Sequence, residues 1–294
     1  MTWPPTWTGQ CFKNSMLIKK KNDIKILDKG GRILGQIMSD LIKLCRPGAS
    51  TWDIDRAAEE MIVAAGGRPA FKFFKNHPTD PPFPATICAS FNDEIVHGIP
   101  RKDLKLKNGD LFSIDIGMEW PFSDSHSVAL SGKSTLKQKG MFTDTAVTLA
   151  IGKVTQKSRE LLNVTAEALE VGLSAIKPGK SVAEIGRAIE NFIKSKGRYG
   201  IVRDLSGHGV GYAVHEEPWI SNYYDKRLES FILKPGMVLA LEPMITLGDW
   251  RIVTADDGWT IKTADGSLCA HFEHTAVVTA DGCRVITRRL EENT

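Results

Sequence analysis

Cys45–Ile62 (CRPGASTWDIDRAAEEMI) returns 131 positions later as Ile176–Ile193 (IKPGKSVAEIGRAIENFI). The two stretches share Pro47/Pro178, Gly48/Gly179, Ser50/Ser181, Ile54/Ile185, Arg56/Arg187, Ala57/Ala188, Glu59/Glu190 and Ile62/Ile193. Helix punctuation alone accounts for the Pro, Gly and Ser matches. It does not account for matching Ile, Arg, Ala, Glu and Ile along the helix that follows, and duplication does. Upstream, Leu27, Leu34, Ile37, Met38, Leu41 and Ile42 line one face of a helix from Asn22 to about Cys45, which Pro47-Gly48 stops. Ser50 is placed to cap a second helix, with Ala57, Ala58, Met61 and Ile62 inward, ending at Gly66-Gly67. A second echo runs at an offset of 127: Lys107–Asp115 (KNGDLFSID) against Lys234–Glu242 (KPGMVLALE). Both are turns opening into apolar strands, and each strand ends on a carboxylate, so Asp115 and Glu242 become pseudo-symmetric partners facing a site between the halves. A helix–helix–strand unit used twice predicts an α+β domain with helices outside a curved, largely antiparallel sheet. The expected division is a tail over residues 1–15 and one domain over 16–294, with halves of about 16–150 and 151–294.

With 294 residues, 42% apolar and 25% charged, the chain can bury a full core. A formal net charge of +3 gives no support to nucleic acid as a substrate, and Lys19-Lys20-Lys21 reads as a solvated helix entry. No stretch approaches the ~20 apolar residues of a bilayer span. The start, Met1–Trp7, lacks the basic and apolar regions of a signal peptide. Five cysteines without a CxxC pattern read as reduced thiols, which places the protein in the cytoplasm.

Five residues able to bind metal lie in short distinctive runs: Asp115 in SIDIG, Asp144 in FTDT, His208 in GHG, Glu242 in LEPM and Glu273 in FEHT. A carboxylate in an apolar strand is costly to bury without a cation. Four of them around one imidazole, with no Arg or Lys beside them in those strands, imply two divalent metals sharing ligands, an arrangement suited to hydrolysis. The glycines around His208 let backbone approach a ligand closely. His215, before Glu216-Glu217-Pro218, and His97, in NDEIVHGIP, are further candidates. Two runs are set aside. Gly132-Lys133-Ser134-Thr135 lacks the first glycine and the strand–loop–helix frame of a P-loop, and Gly207/Gly209/Gly211 is not the dinucleotide fingerprint.

From about Lys20 to about Ile286 the chain resembles type I methionine aminopeptidases, on Asn92–Pro100, Gly207–Pro218, Leu241–Met244, Asp257–Thr260 and Phe272–Thr275. The resemblance implies the pseudo-symmetric "pita-bread" fold, in keeping with the repeat. It implies that Asp115, Asp144 and Glu273 hold one metal and that Asp144, His208, Glu242 and Glu273 hold the second, with Asp144 and Glu273 bridging. Oxygen-rich ligation with one imidazole suits Mn, Fe(II) or Co, and Zn remains open. The implied reaction is attack of a metal-acidified water on the carbonyl of an N-terminal methionine. Glu242 relays the proton, and His215 and His97 hydrogen-bond the scissile peptide. Cys88, Phe83 and Trp259 match positions lining the methionine pocket, where a thiol and aromatic faces suit a thioether. The implied partners are nascent polypeptides starting with Met, at the ribosome, met by a monomer.

Two features depart from the family. Asp115 and Asp144 are 29 positions apart, so Met118–Met141 reads as an insertion, a hairpin or flap. Asp124 lies nearer the usual spacing, but it sits in polar Ser123-Asp124-Ser125, a turn sequence. Asp144 opens the run DTAVTLAIG, which resembles the strand after the family's second aspartate, and is chosen. Val214 stands where a bulky aromatic usually closes the pocket, which predicts looser hold on methionine. The rival readings are an X-Pro aminopeptidase or dipeptidase of the same fold, usually with an extra N-terminal domain, and a metal-free peptide-binding module, which would have lost ligands.

Overall fold

The computed structural model describes residues 17–75, 78–122 and 140–292. The expected tail at 1–15, the rival Asp124 and the Gly132–Thr135 run lie outside the described residues. In chain order the elements are α1 (Lys21–Leu44), α2 (Thr51–Ala64), β1 (Arg68–Pro69), β2 (Ile87–Phe91), β3 (Glu94–Val96), β4 (Leu111–Trp120) and β5 (Met141–Ala150). The second half continues with α3 (Gln156–Ala175), α4 (Ala183–Lys196), β6 (Gly200–Ile201), β7 (Gly207–Gly209), β8 (Glu216–Ile220), β9 (Val238–Leu241) and β10 (Met244–Thr246). It closes with β11 (Ile252–Thr254), β12 (Ile261–Thr263), β13 (Cys269–His271), β14 (Glu273–Val278) and β15 (Cys283–Val285).

The apolar stripe of α1 is buried at Leu27, Leu34, Ile37, Met38 and Leu41, spaced three, four or seven apart, and the helix lies against β4 and β5. Each such fully buried side chain contributes about 1.5–3 kcal/mol. Ser50 stands at the N-cap of α2 in extended conformation, but its side chain makes no capping bond. Its backbone is taken by a bridge to Lys105 instead. Lys19 also departs from the solvated reading: it is buried and ion-paired with Glu216, and only its neighbours Lys20 and Lys21 are exposed.

The duplication is written in the backbone. Ser50 bridges Lys105, and Ser181 bridges Ile232. Gly48 donates its N–H to the carbonyl of Leu106 at 2.8 Å, and Gly179 donates to that of Leu233 at 2.9 Å. Gly109 donates to Ile151 at 2.8 Å and Gly236 to Val278 at 2.9 Å. These four glycines have φ of +90°, +81°, +102° and +90°, a region that other residues enter at a cost, which explains why both copies keep them.

The main sheet runs β1-β4-β5-β14-β9-β7-β8, with β2 on β4 and β15 on β14, and every pairing is antiparallel. The halves meet where β5 pairs with β14, and there Glu273 faces Ala146. Those two positions are themselves 127 apart, so the pseudo-two-fold passes between them. The ladder of β4 and β5 continues through Met118–Thr143, Glu119–Phe142 and Trp120–Met141. The first rungs of the expected insertion are therefore extensions of the two strands that carry Asp115 and Asp144. One hydrophobic cluster joins Leu34, Met38 and Ile114 from the first half to Leu169, Ile189 and Leu241 from the second.

Candidate metal centre

Strand register puts all five candidate ligands on one face of the sheet. Asp115 pairs with Ala146, and Ala146 pairs with Glu273, so Asp115 and Glu273 flank one row across three strands. Asp144 pairs with Gly117, two residues from Asp115, and side chains two apart share a face. His208 and Thr275 both face Ala240. Glu242, two residues beyond Ala240, leaves β9 on the same side.

Fixing the imidazole takes glycine. A Cβ on Gly207 would lie 2.4 Å from the Ala240 carbonyl oxygen, and one on Gly209 would lie 2.2 Å from that of Glu217. Only glycine lets β7 sit this close to its neighbours. His208 Nδ1 lies 2.9 Å from the Gly209 carbonyl oxygen, which can only accept, so Nδ1 donates there and Nε2 is the nitrogen turned to the site. Nε2 faces Asp144 Oδ2 at 3.5 Å and Glu242 Oε1 at 3.6 Å. Ligand atoms of Asp144, His208 and Glu273 all lie within 4.8 Å of one another. With metal–ligand bonds of about 2.0–2.2 Å, neighbouring ligand atoms stand roughly 3–3.6 Å apart, so these gaps fit the edges of a coordination shell.

The electrostatics ask for cations. Burial pushes Asp115 up to about 7, Glu242 up to about 8 and Glu273 well above the carboxylate range, with the neighbouring carboxylates pushing the same way. Burial also raises Asp144, against the opposing pull of His208 and of Thr275, whose hydroxyl donates to Oδ1 at 2.9 Å. Asp115 Oδ1 is buried without a hydrogen-bond partner among the described residues. The donor set, four carboxylates and one imidazole nitrogen, fits divalent metal.

The five open onto a cavity of about 70 Å³, room for several water-sized groups. Cys88, Phe83 and Trp259 line it, with Phe83 and Trp259 edge to face at 5.2 Å. Asp257 sets Trp259 in place by accepting from its N–H at 2.9 Å and from the Thr260 N–H at 2.8 Å. His97 and His215 also line the cavity, from opposite sides of the sequence. His97 sits at φ +59°, an uncommon conformation of the kind that clusters at functional sites. Burial holds His97 down to about 4 and His215 well below the usual histidine range, so both are neutral at pH 7. Glu216 accepts from the Tyr212 N–H at 2.5 Å and the Ala213 N–H at 3.0 Å, and pairs with Lys19. It thereby braces the loop that presents His215.

Val214 is buried but is not among the residues lining the cavity. Phe71 and Phe74 are, and Phe74 stands edge-on to His215 at 5.2 Å. Sequence reading missed both, because they come from a loop without a motif. Their nearness to the cavity traces to Gly117, where a Cβ would lie 2.7 Å from the Phe71 ring. Also missed was Arg289, buried behind Glu273 and bonded to Glu292 and to the Ala146 carbonyl. Its charge is already paired, with Glu292.

The pattern of metallopeptidase family M24 matches residues 25–280. The methionine aminopeptidase 1 of Bacillus subtilis is 37% identical over 273 residues, covering 93% of this chain and 99% of that protein. That of Clostridium perfringens is 35% identical over 272 residues, 92% of this chain and 98% of its own length. Among solved structures, a methionine aminopeptidase from Thermotoga maritima superposes with a TM-score of 0.80 at 34% identity, over 92% of this chain and 99% of that one. A prolidase from Pyrococcus furiosus shares the fold, with a TM-score of 0.67 at 22% identity, and this chain covers 66% of it.

Proposed function

The chain belongs to metallopeptidase family M24, and from that premise we propose how its centre works: it is a metal-dependent aminopeptidase that hydrolyses the first peptide bond to release N-terminal methionine. The observation that carries this reading is His208 Nε2 facing two carboxylates at 3.5 and 3.6 Å, beside an aromatic and thiol pocket. Asp115, Asp144 and Glu273 would hold one divalent ion, and Asp144, His208, Glu242 and Glu273 a second, of Mn, Fe(II), Co or Zn. When bound, such a pair acidifies water and polarises a carbonyl.

The protein's own groups do the rest. Phe83, Cys88 and Trp259 receive the methionine side chain, with Phe71 and Phe74 completing the apolar wall. Glu242 takes the proton from the attacking water on a carboxylate oxygen and passes it to the leaving amine. Neutral His97 and His215 each offer an N–H to the peptide carbonyl or its developing negative charge, where a preset donor contributes most. The loaded centre would also hold the substrate's free α-amine in its neutral form, which favours cleavage at the chain end. The substrates are polypeptides that begin with methionine, nascent chains met in the cytoplasm, at the ribosome, by a monomer.

The solved X-Pro peptidases share the fold, and a fold by itself names no substrate. Purified protein given a divalent ion should release methionine from Met-Ala-Ser and leave Ala-Pro-Ser intact. Preferential cleavage of Ala-Pro-Ser would replace this reading with the X-Pro one, and no cleavage of either peptide with any ion would point to a binding module.

A further inference from the structure

His271 ends β13 at 1% exposure, and neither of its ring nitrogens has a hydrogen-bond partner among the described residues. A buried polar group left this way demands an explanation, since stranding it costs about 1–3 kcal/mol. The ring is no accident of a loose loop. Its backbone N–H donates to Thr148 Oγ1 at 2.8 Å, and that hydroxyl donates to its carbonyl at 2.9 Å. The Asp144 N–H donates to Thr275 Oγ1 at 3.2 Å, and that oxygen lies 2.8 Å from the Asp144 carbonyl oxygen. Asp144 and His271 are 127 apart, as are Thr148 and Thr275. His271 is therefore the pseudo-symmetric counterpart of Asp144, held by the same threonine clamp in the other half.

The counterpart is turned to a different task. His271 does not line the cavity, whereas Glu242 does, and His271 Nε2 lies 3.4 Å from Glu242 Oε2. Glu242 Oε1 lies 3.6 Å from His208 Nε2. Glu242 thus stands between two imidazoles, one lining the cavity and one outside its lining. We propose that His271 is a positioning residue for Glu242: its Nε2–H donates to Oε2 and keeps Oε1 turned toward His208 and the cavity. A small turn of the ring on its clamped backbone closes the contact to hydrogen-bond length. Groups that orient a metal-binding carboxylate in this way typically change metal affinity 10–100-fold when removed. The inference rests on the reading of the five residues as a two-ion centre.

The test is calorimetric titration of the metal-free protein with Mn(II), for the natural protein and for His271→Gln, His271→Leu and His271→Ala, with X-ray absorption on Co(II)-loaded samples. Glutamine keeps an N–H donor, while leucine and alanine are two independent ways of losing it. The expected result is weaker binding of one of the two ions by roughly 10–100-fold in the Leu and Ala variants. The Gln variant should bind within about threefold of the natural protein, a rescue that a purely space-filling role would not produce. X-ray absorption should count one imidazole per ion pair throughout. Unchanged binding in the Leu or Ala variant, or equal weakening in all three, would overturn the proposal. A second metal-bound imidazole that disappears with the substitution would overturn it too, by making His271 a ligand. Failure of the natural protein to bind any ion would overturn the reading of the centre itself, an outcome distinct from the others.

Discussion

Asp144 Oδ2 and His208 Nε2 approach to 3.5 Å across the seam between the two halves, both buried, with the imidazole proton committed to the Gly209 carbonyl on the far side of the ring. Glu242 Oε1 stands 3.6 Å from the same nitrogen, and so close a gathering of buried carboxylates is costly unless a cation joins them.

Asp144 is the expected second aspartate ligand. Asp144→Asn keeps size and shape but removes the charge, and kcat/KM for Met-Ala-Ser should fall about a thousandfold, the several kcal/mol that metal assistance supplies. Asp124→Asn should leave the rate unchanged. The reverse pattern of rates would transfer the role to Asp124.

In the proposed mechanism His97 and His215 act on the substrate and not on the ions. Alanine at either position should lower kcat by about 10²–10³-fold while metal content per chain stays as in the natural protein. A matching loss of bound metal, measured on the same samples, would mean that these rings belong to the coordination shell.

The fold was legible because duplication left residue identities behind. Pro47-Gly48 and Pro178-Gly179, and the turns at Gly109 and Gly236, need positive φ in both copies, so the same residue types recur. The four candidate carboxylate ligands stood out because a carboxylate in an apolar strand is rare, and His208 because glycines flank it. Phe71 and Phe74 were not legible: an aromatic in a loop carries no periodicity, and what draws Phe71 to the cavity is a missing Cβ at Gly117, 46 positions away in the sequence. His271 was hidden for a different reason. It lies beside Glu273 in an apolar run, and its equivalence to Asp144 appears only once Thr148 and Thr275 are seen clamping the two backbones alike. Lys19 misled, since a lysine run at a helix start is ordinarily solvated, and only the fold brings Glu216 to it.

Removing the ions should make stability fall as pH rises. Asp115 and Glu242 have ordinary values of 3.8 and 4.5 and are raised in the folded protein to about 7 and about 8. The folded state therefore holds protons that the unfolded chain has released, an advantage lost as pH rises through 7 and 8. Below pH ~6.5 the buried neutral His97 and His215 oppose it, because the unfolded chain would protonate them, so the net fall lies between pH ~6.5 and ~8. In thermal melts with chelator, Tm should drop by about 3 °C across that window. Added Mn(II) should flatten the dependence. A Tm that climbs between pH ~6.5 and ~8 in chelator would show that the carboxylates are neutralised by the protein alone.

The aromatic wall should set specificity and leave the ions alone. Phe83→Ala or Trp259→Ala should lower kcat/KM for Met-Ala-Ser by about 10–100-fold, the range for lost apolar pocket contacts. Metal affinity by titration should stay unchanged. If neither variant alters the kinetics, methionine binds elsewhere.

The most direct test is a titration of the metal-free protein with Mn(II), Fe(II), Co(II) and Zn(II) in turn, with bound ions per chain and methionine released from Met-Ala-Ser followed on the same samples. Two ions should be bound per chain at saturation, and methionine release should appear only as they bind. Release at full rate in the presence of chelator, or saturation with no ion bound, would contradict the two-ion reading.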